Sequence, residues 1–333
     1  MISSIQQLED ILSTPSEQDI AALKALDGDL LLLGAGGKMG PTLAMRAVRA
    51  GKRTIAVSRW SDAAARARLD AAGVETISCD LLDSAQLAAL PDIPNVVHMT
   101  GRKFGSTEDP QSTWAMNVYL AGRVAERFRY SRIVSFSSGN VYPLTSVAEG
   151  GASEETAMDP LGEYAQTGRG RERMFQFFSR AYSIPVMLLR LNYAIDLRYG
   201  VLLDIGLKVF ERKPVDVSMG AVNVIWQGDA NSVALRAFPY AASPPAVLNL
   251  TGPETLSVRA IATRFGEQFG VKPEFIGQES ANALLNNASR CHRLFGYPTV
   301  TPDELIEWTA RWIAVNGHTY NKPTGFQVRD GAF

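Results

Sequence analysis

A run of glycines carries the clearest chemistry in the chain. Gly34-Ala35-Gly36-Gly37-Lys38-Met39-Gly40 follows four leucines, Leu30 to Leu33, which read as a short buried strand, and it opens a helix. A glycine turn in that place lets backbone approach a pyrophosphate. The helix start beyond it presents unpaired N–H groups and the positive end of a dipole. A glycine-rich turn that holds nothing is the plain alternative; the flanking strand and helix argue for the phosphate cradle. Gly34, Gly37, Met39 and Gly40 are therefore expected to hold a dinucleotide, with Lys38 adding charge at the mouth.

The end of the second strand bears on which dinucleotide. A fold that prefers NAD usually places an acid there, against the ribose hydroxyls. Ser58 occupies that position and Arg59 comes next. A small hydroxyl beside a guanidinium suits a 2′-phosphate, so NADP is expected, with NAD as the alternative cofactor. Taken alone, Arg59 would read as a solvated charge.

These residues need a scaffold, and the rhythm of the chain supplies one. Strands are expected at Thr54–Ser58, Glu75–Cys79, Asn95–Met99, Arg132–Phe136 and Val186–Leu191. Helices are expected at Ala63–Ala72, Thr113–Phe128 and Glu163–Ala181. Strands alternating with helices of this length predict an α/β protein, a Rossmann-type doubly wound parallel sheet with helices on both faces. Residues 1–27 read as a helical extension of two short amphipathic helices, with Thr14-Pro15 fitting an N-cap and a proline at N1. Residues 28–191 read as the dinucleotide-binding domain. After Leu191 short strands, turns and helices mix, as at Val222–Trp226, Val247–Leu250, Val258–Phe269 and Glu304–Val315. Residues 192–316 are taken as a smaller substrate-binding region, with some strands returning to the main sheet, and 317–333 as a tail.

The bulk properties narrow the partners. The chain has 333 residues, 46% of them hydrophobic, and a formal net charge of −1, so nothing points to nucleic acid or a membrane surface. Two cysteines, Cys79 and Cys291, suggest a reducing compartment and read as small buried hydrophobes. The three histidines show no ligand spacing with cysteine or carboxylates, so no metal is expected. No basic segment leads into an apolar run at the start, and no apolar run is long enough to cross a bilayer, so a cytoplasmic location is the expectation.

Further along come Ser137-Ser138-Gly139-Asn140-Val141-Tyr142 and Tyr164-Ala165-Gln166-Thr167-Gly168. With these stretches in view, the region from Leu30 to Val315 resembles the extended short-chain dehydrogenase/reductase family, the NAD-dependent epimerase/dehydratase group that includes UDP-galactose 4-epimerase. The resemblance rests on ordered motifs. Gly34, Gly37 and Gly40 match its glycine triplet, and Asp80-Leu81 matches a pair that touches the adenine. Val97-His98-Met99-Thr100-Gly101 resembles the strand end beneath the nicotinamide ribose. Asn117-Val118 matches an asparagine-bearing helix behind the active site. Glu172, Leu189–Asn192, Asn249–Gly252 and Leu294–Tyr297 match later motifs.

The resemblance implies that Ser138 and Tyr164 are catalytic. Tyr164 would exchange the hydroxyl proton, Ser138 would hydrogen-bond the reacting oxygen, and the cofactor would carry hydride. It makes Met99, Thr100, Gly101 and Asn117 cofactor-side residues and Arg102, Lys103 and Asn192 substrate contacts. Without it, Ser138 would read as a strand-end cap and Tyr164 as a half-buried helix tyrosine. It also implies a homodimer built on the Thr113–Phe128 and Glu163–Ala181 helices, with Val118, Leu120, Phe175 and Phe178 as apolar contacts.

Two departures set this chain apart. Gly168 replaces the family's lysine four residues after the tyrosine. That lysine binds the nicotinamide ribose, and its charge lowers the pKa of a phenol that otherwise titrates near 10. Arg171, Arg169 and Lys103 are the substitutes to weigh. The stretch Gly220–Trp226 also lacks an arginine that nucleotide-sugar epimerases carry near Val222, which favours a smaller sugar, sugar acid or polyol. Two functions are open: an NAD(P)-dependent oxidoreductase or epimerase-like enzyme on a small carbohydrate, or a catalytically weak NADP-binding sensor or interaction protein of the same fold.

Overall fold

The computed structural model describes residues 2–332. Seven parallel strands form one sheet: β1 Leu30–Leu33, β2 Thr54–Ser58, β3 Glu75–Ser78, β4 Asn95–His98, β5 Arg132–Ser138, β6 Val186–Leu191 and β7 Ala246–Leu250. Their spatial order is β7-β6-β5-β4-β1-β2-β3. All four leucines of β1 are fully buried. That fits a central strand of a parallel sheet covered by helices on both faces, where alternation gives way to a continuous apolar run. One apolar cluster lies on each face. A third holds the residues after β6 together with the first helix.

The chain reverses its winding direction between β1 and β4. The connections leaving their paired carboxyl ends run to opposite faces of the sheet, which opens the crevice where such sheets bind ligands. Gly34 leaves the end of β1 and Met99–Gly101 leave the end of β4.

Most elements lie within a residue or two of their expected places, and Ala246–Leu250 does return to the sheet, pairing in parallel with β6. Val222–Trp226 is instead two short strands. Ala221–Val222 pairs with Leu256–Ser257, and Ile225–Trp226 with Ala194–Ile195.

The helices Ile5–Ser13 and Glu17–Ala25 lie close to their expected positions, but Thr14-Pro15 does not cap the second. Ser16 does, in a reciprocal box with Asp19. Asp19 wins that place because its carboxylate also forms a buried ion pair with Arg46 at 2.7 Å and accepts a hydrogen bond from Ser232.

The expected 113–128 helix begins earlier and is not uniform. It runs Pro110–Trp114, then a π-helical turn at Ala115–Tyr119, then Leu120–Arg127. The helix Gly162–Tyr182 packs against it. Leu120 and Phe175, expected at a subunit interface, are fully buried in the core beneath these helices. Among the described residues no helix is long and apolar enough to cross a membrane.

Candidate active site

The glycine loop is shaped by close approach. Gly34 has φ +88°, in the left-handed region, and a Cβ there would come within 2.8 Å of the Thr100 side chain and 2.9 Å of its backbone nitrogen. A Cβ on Gly36 would meet Ser58 Oγ at 2.4 Å, and one on Gly40 would meet the Ala35 carbonyl at 2.3 Å. Gly37 is less constrained, with only ordinary contact at 3.5 Å. Gly36, absent from the motif triplet, is thus the glycine that β2 demands. The helix Gly40–Arg49 has Met39 at its N-cap with no side-chain cap, and a proline in its first turn. Its first N–H groups face the loop without a side-chain acceptor.

Beside this loop a cavity of about 600 Å³ opens between the sheet and the later residues. Gly34, Gly37, Lys38 and Met39 line it from the β1 end. Met99, Thr100, Gly101 and Lys103 line it from the β4 end, and Ser138, Tyr164 and Asn192 from β5 and beyond. Eleven residues expected from the sequence therefore meet in one space.

Ser138 sits at the last position of β5. Its hydroxyl donates to Asn140 Oδ1 at 2.9 Å and accepts from Asn140 N at 3.2 Å, so it does cap the turn after the strand. Tyr164 lies in the first turn of Gly162–Tyr182. A buried network fixes this helix. Glu172 accepts from Ser137 at 2.6 Å and from Arg190 through both its oxygens, at 2.9 and 2.7 Å. Arg190 also donates to the Tyr142 hydroxyl.

Gly168 faces Val141, and a Cβ there would lie 3.3 Å from Val141 Cγ1. The cation nearby comes from Arg171, one turn further on. Its buried guanidinium donates to the Phe136 carbonyl at 2.9 Å, to Asn117 Oδ1 at 2.9 Å and to the Asn117 carbonyl at 3.3 Å. It lines the cavity beneath Gly101, whose added Cβ would touch it at 2.8 Å. Burial pulls its pKa down, and the neighbouring Tyr164 and Glu172 oppose that. Asn117 does not line the cavity. It acts one layer back, accepting from Arg102 N and Arg171 and donating to Thr167 Oγ1 at 2.9 Å.

The other end of the cavity is basic. Lys38 Nζ lies 3.6 Å from the Tyr199 ring centroid and 4.6 Å from that of Phe104. Lys103 Nζ lies 5.8 Å from the Tyr164 ring centroid and donates to the Thr324 carbonyl at 2.9 Å. Burial first, then charge repulsion (from Lys322 on Lys38, from Lys38 on Lys103), lowers both lysines to about 8. Burial raises the Asp204 carboxyl, which accepts from Thr324 N and Oγ1 at 2.7 and 2.6 Å.

Segments remote in sequence close the space. Glu9, from the first helix, is buried against Arg198 at 3.0 Å and reaches Arg68 at 3.5 Å. Arg198 also pairs with Asp196 at 2.6 Å, and its carbonyl accepts from Tyr320 N at 3.0 Å. Tyr320, Lys322 and Thr324 form the facing wall.

Several expected residues lie elsewhere. Gly40 is in the helix start behind the loop. Ser58 touches the loop at Gly36, and Arg59 is exposed beyond it. Asp80 closes its own turn by accepting from Leu82 N, and Leu81 is buried among apolar side chains. Arg102 does not line the cavity and forms an ion pair with Asp109 at 2.7 Å. Glu9, Arg198, Tyr199, Lys322 and Thr324 carried no local motif that could have announced them.

A parallel sheet with a glycine-rich first turn and a deep crevice at its switch point defines a dinucleotide-binding protein of the Rossmann type. Likeness to known proteins specifies it further. Residues 30–194 match the model of the NAD dependent epimerase/dehydratase family, and this region of the chain belongs to that family. Among solved structures, an epimerase from Methanothermobacter thermautotrophicus is similar at 19% identity and TM-score 0.74, covering 90% of this chain and 96% of its own. UDP-glucose 4-epimerase from Thermotoga maritima, solved with UDP-glucose, matches at 16% identity and TM-score 0.72, covering 86% of this chain and 99% of its own. UDP-glucuronic acid 4-epimerase from Bacillus cereus, solved with UDP-glucuronic acid and NAD, matches at 18% and 0.71, with 86% and 99% covered. No curated protein matches the chain.

Proposed function

We propose that this protein is an NAD(P)-dependent oxidoreductase or epimerase-like enzyme acting on a small sugar, sugar acid or related polyol. One observation carries the reading: a single cavity joins the glycine loop to Ser138, Tyr164 and Arg171. A sensor with a filled pocket would not keep that space open beside its hydroxyl pair.

The residues present fit a dinucleotide. Gly34 and Gly36 let the loop lie close against Thr100 and Ser58, and the uncapped helix start offers N–H donors to a pyrophosphate. Met99, Thr100 and Gly101 form the floor. A bound nicotinamide would supply the hydride acceptor and donor. The chain's own residues supply the rest. Tyr164 exchanges the proton of the substrate hydroxyl, and Ser138 orients the oxygen that carries it. Arg171 provides, from the same helix, a buried guanidinium that lines the same cavity.

Ser58 and Arg59 support NADP over NAD. In this reading residues 28–191 hold the cofactor and 192–316 the substrate, while 1–27 and 317–333 close the space between them. The protein acts as a homodimer, its interface formed by Trp114, Tyr119, Phe177 and Tyr182, which are exposed on the two long helices.

The test is to titrate NADPH and NADH into the purified protein, then to screen sugars and sugar acids for an absorbance change at the nicotinamide band. Binding of a dinucleotide with turnover that Tyr164→Phe removes is expected. Turnover untouched by Tyr164→Phe would remove the assigned chemistry.

A further inference from the structure

We infer that residues 319–325 form a strap across the cavity that opens to admit and release the dinucleotide, with Thr324 as its latch on Asp204 and Lys103. This rests on the reading that the cavity holds a nicotinamide dinucleotide.

The strap hangs between two fixed points. Before it, the helix Pro302–Ala314 ends, and Trp312 in that helix holds the turn that follows. Its indole donates to the His318 carbonyl at 3.0 Å, and its carbonyl accepts from Gly317 N at 2.8 Å. After the strap, Phe326 is buried in the core of the later residues. Arg329 then donates to the carbonyls of Ser218 and Asn282, at 3.2 and 3.0 Å. Between these points residues 319–325 belong to no helix or strand, and Asn321, Lys322 and Pro323 are exposed. Asn321 and Gly325 take the backbone through the left-handed region, at φ +50° and +66°. A stretch with few buried apolar groups and no ladder of backbone hydrogen bonds opens locally more readily than a packed helix.

Its path crosses both ends of the cavity. Lys322 stands close enough to Lys38, at the glycine loop, for their charges to repel. Thr324 meets Lys103, whose Nζ lies 5.8 Å from the Tyr164 ring centroid. The Phe104 ring spans the distance, its centroid 4.6 Å from Lys38 Nζ and 5.9 Å from Lys103 Nζ. A dinucleotide laid from the glycine loop toward Tyr164 therefore lies beneath the strap.

The latch can release without stranding a charge. Asp204, on the helix Val201–Phe210, accepts from Thr324 N and Oγ1 at 2.7 and 2.6 Å, and the Thr324 carbonyl accepts from Lys103 Nζ at 2.9 Å. Hydrogen bonds to ionised groups are strong enough to hold such a segment shut. A buried carboxylate that loses its partners is ordinarily left uncompensated. Asp204 keeps opposing charge when Thr324 departs, because Lys208, Lys103 and Lys38 all act on it.

The test has two arms. The first needs no ligand. In the free protein, hydrogen-exchange protection of the Tyr320 and Thr324 amides should be about tenfold or more below that of the interior of the helix Val201–Phe210. Equal protection overturns the strap, whatever the cavity holds. The second arm follows NADPH and NADH binding and release by stopped-flow nicotinamide fluorescence. Thr324→Val removes the latch hydroxyl at nearly constant size. It should raise the association and dissociation rates together, about tenfold, as the loss of one hydrogen bond to a charged acceptor predicts. Affinity should stay within about twofold, because a gate changes passage and not contact. Asp204→Asn, which keeps an acceptor and loses the charge, should raise both rates by a smaller factor. Faster release with unchanged association would make Thr324 a ligand contact and overturn the gate, as would two unchanged rates. Failure of both dinucleotides to bind the parent protein would overturn the cofactor reading, and with it the ligand assigned to the strap, while the exchange arm still reports whether the segment opens.

Discussion

At the scale of single residues, Gly168 and Arg171 stand one helical turn apart, and the guanidinium of Arg171 lines the cavity. Arg171 lies seven residues after Tyr164 and so returns to nearly the same helix face. Tyr164→Phe should lower turnover about 10²- to 10⁴-fold without changing NADPH affinity, checked by steady-state rates and fluorescence titration. Arg171→Met should lower turnover about tenfold or more, because the buried guanidinium that lines the cavity with Tyr164 is lost. Adding Gly168→Lys to that variant should restore part of that turnover, after a small displacement of Val141. Unchanged turnover in Arg171→Met would take the role from this arginine. Arg59→Ala should weaken NADPH binding far more than NADH binding; equal losses would exclude a 2′-phosphate contact. Residues with a local signature were legible in the sequence: the glycines before a helix, the serine at a strand end, the tyrosine. Lys38 and Lys103 were legible as charges. Their sharing of the Phe104 ring was not, because nothing local links positions 38, 103 and 104 to Tyr199.

Among the elements, the helix that bears Asn117 shows how a small irregularity serves a site. A π-helical turn accommodates one extra residue and rotates the helix beyond it; such turns recur at functional positions. Here it spans Ala115–Tyr119 and sets Asn117 against both Arg102 and Arg171. Its apolar spacing reads as an ordinary helix, so the sequence carries no sign of the turn. The same rotation leaves Tyr119 58% exposed, while Phe177 on the neighbouring helix is 63% exposed. A double Tyr119→Glu, Phe177→Glu variant should sediment as a monomer where the parent sediments as a dimer at micromolar concentration. A parent that is itself monomeric would remove the interface. Strands were legible nearly to the residue, since a buried parallel strand is a bare apolar run. The interface side of a helix was not, since core-facing Leu120 and Phe175 are as apolar as any contact residue.

For the whole molecule, the parallel sheet fixes where a ligand lies, and the segments outside it decide what can enter. Glu9 ties the first helix to Arg198 in a buried pair, with both side chains nearly solvent-free. Removing Glu9 takes one of two carboxylates from the buried Arg198, which keeps Asp196, so the cost falls below the about 3–5 kcal/mol of a fully stranded charge but above that of an exposed pair. Glu9→Ala should therefore lower the thermal midpoint by several degrees in calorimetry. Asp10→Ala breaks the solvent-exposed pair with Arg49, worth at most about 1 kcal/mol, and should barely move it. Similar losses in both would mean that Glu9 contributes through packing alone. The amphipathic pattern of residues 1–27 showed that this segment packs on the domain. It could not show that one of its acids reaches the cavity wall, because the partner lies far along the chain.

The lining of the cavity runs from Glu9 to Thr324. On the ribosome the sheet and glycine loop are complete long before Tyr320–Thr324 has been synthesised, and Lys103 lacks its carbonyl partner until Thr324 emerges. A nascent chain can thus complete the sheet and the glycine loop while the far wall of the cavity is still missing, and the cavity closes only once synthesis has passed Thr324.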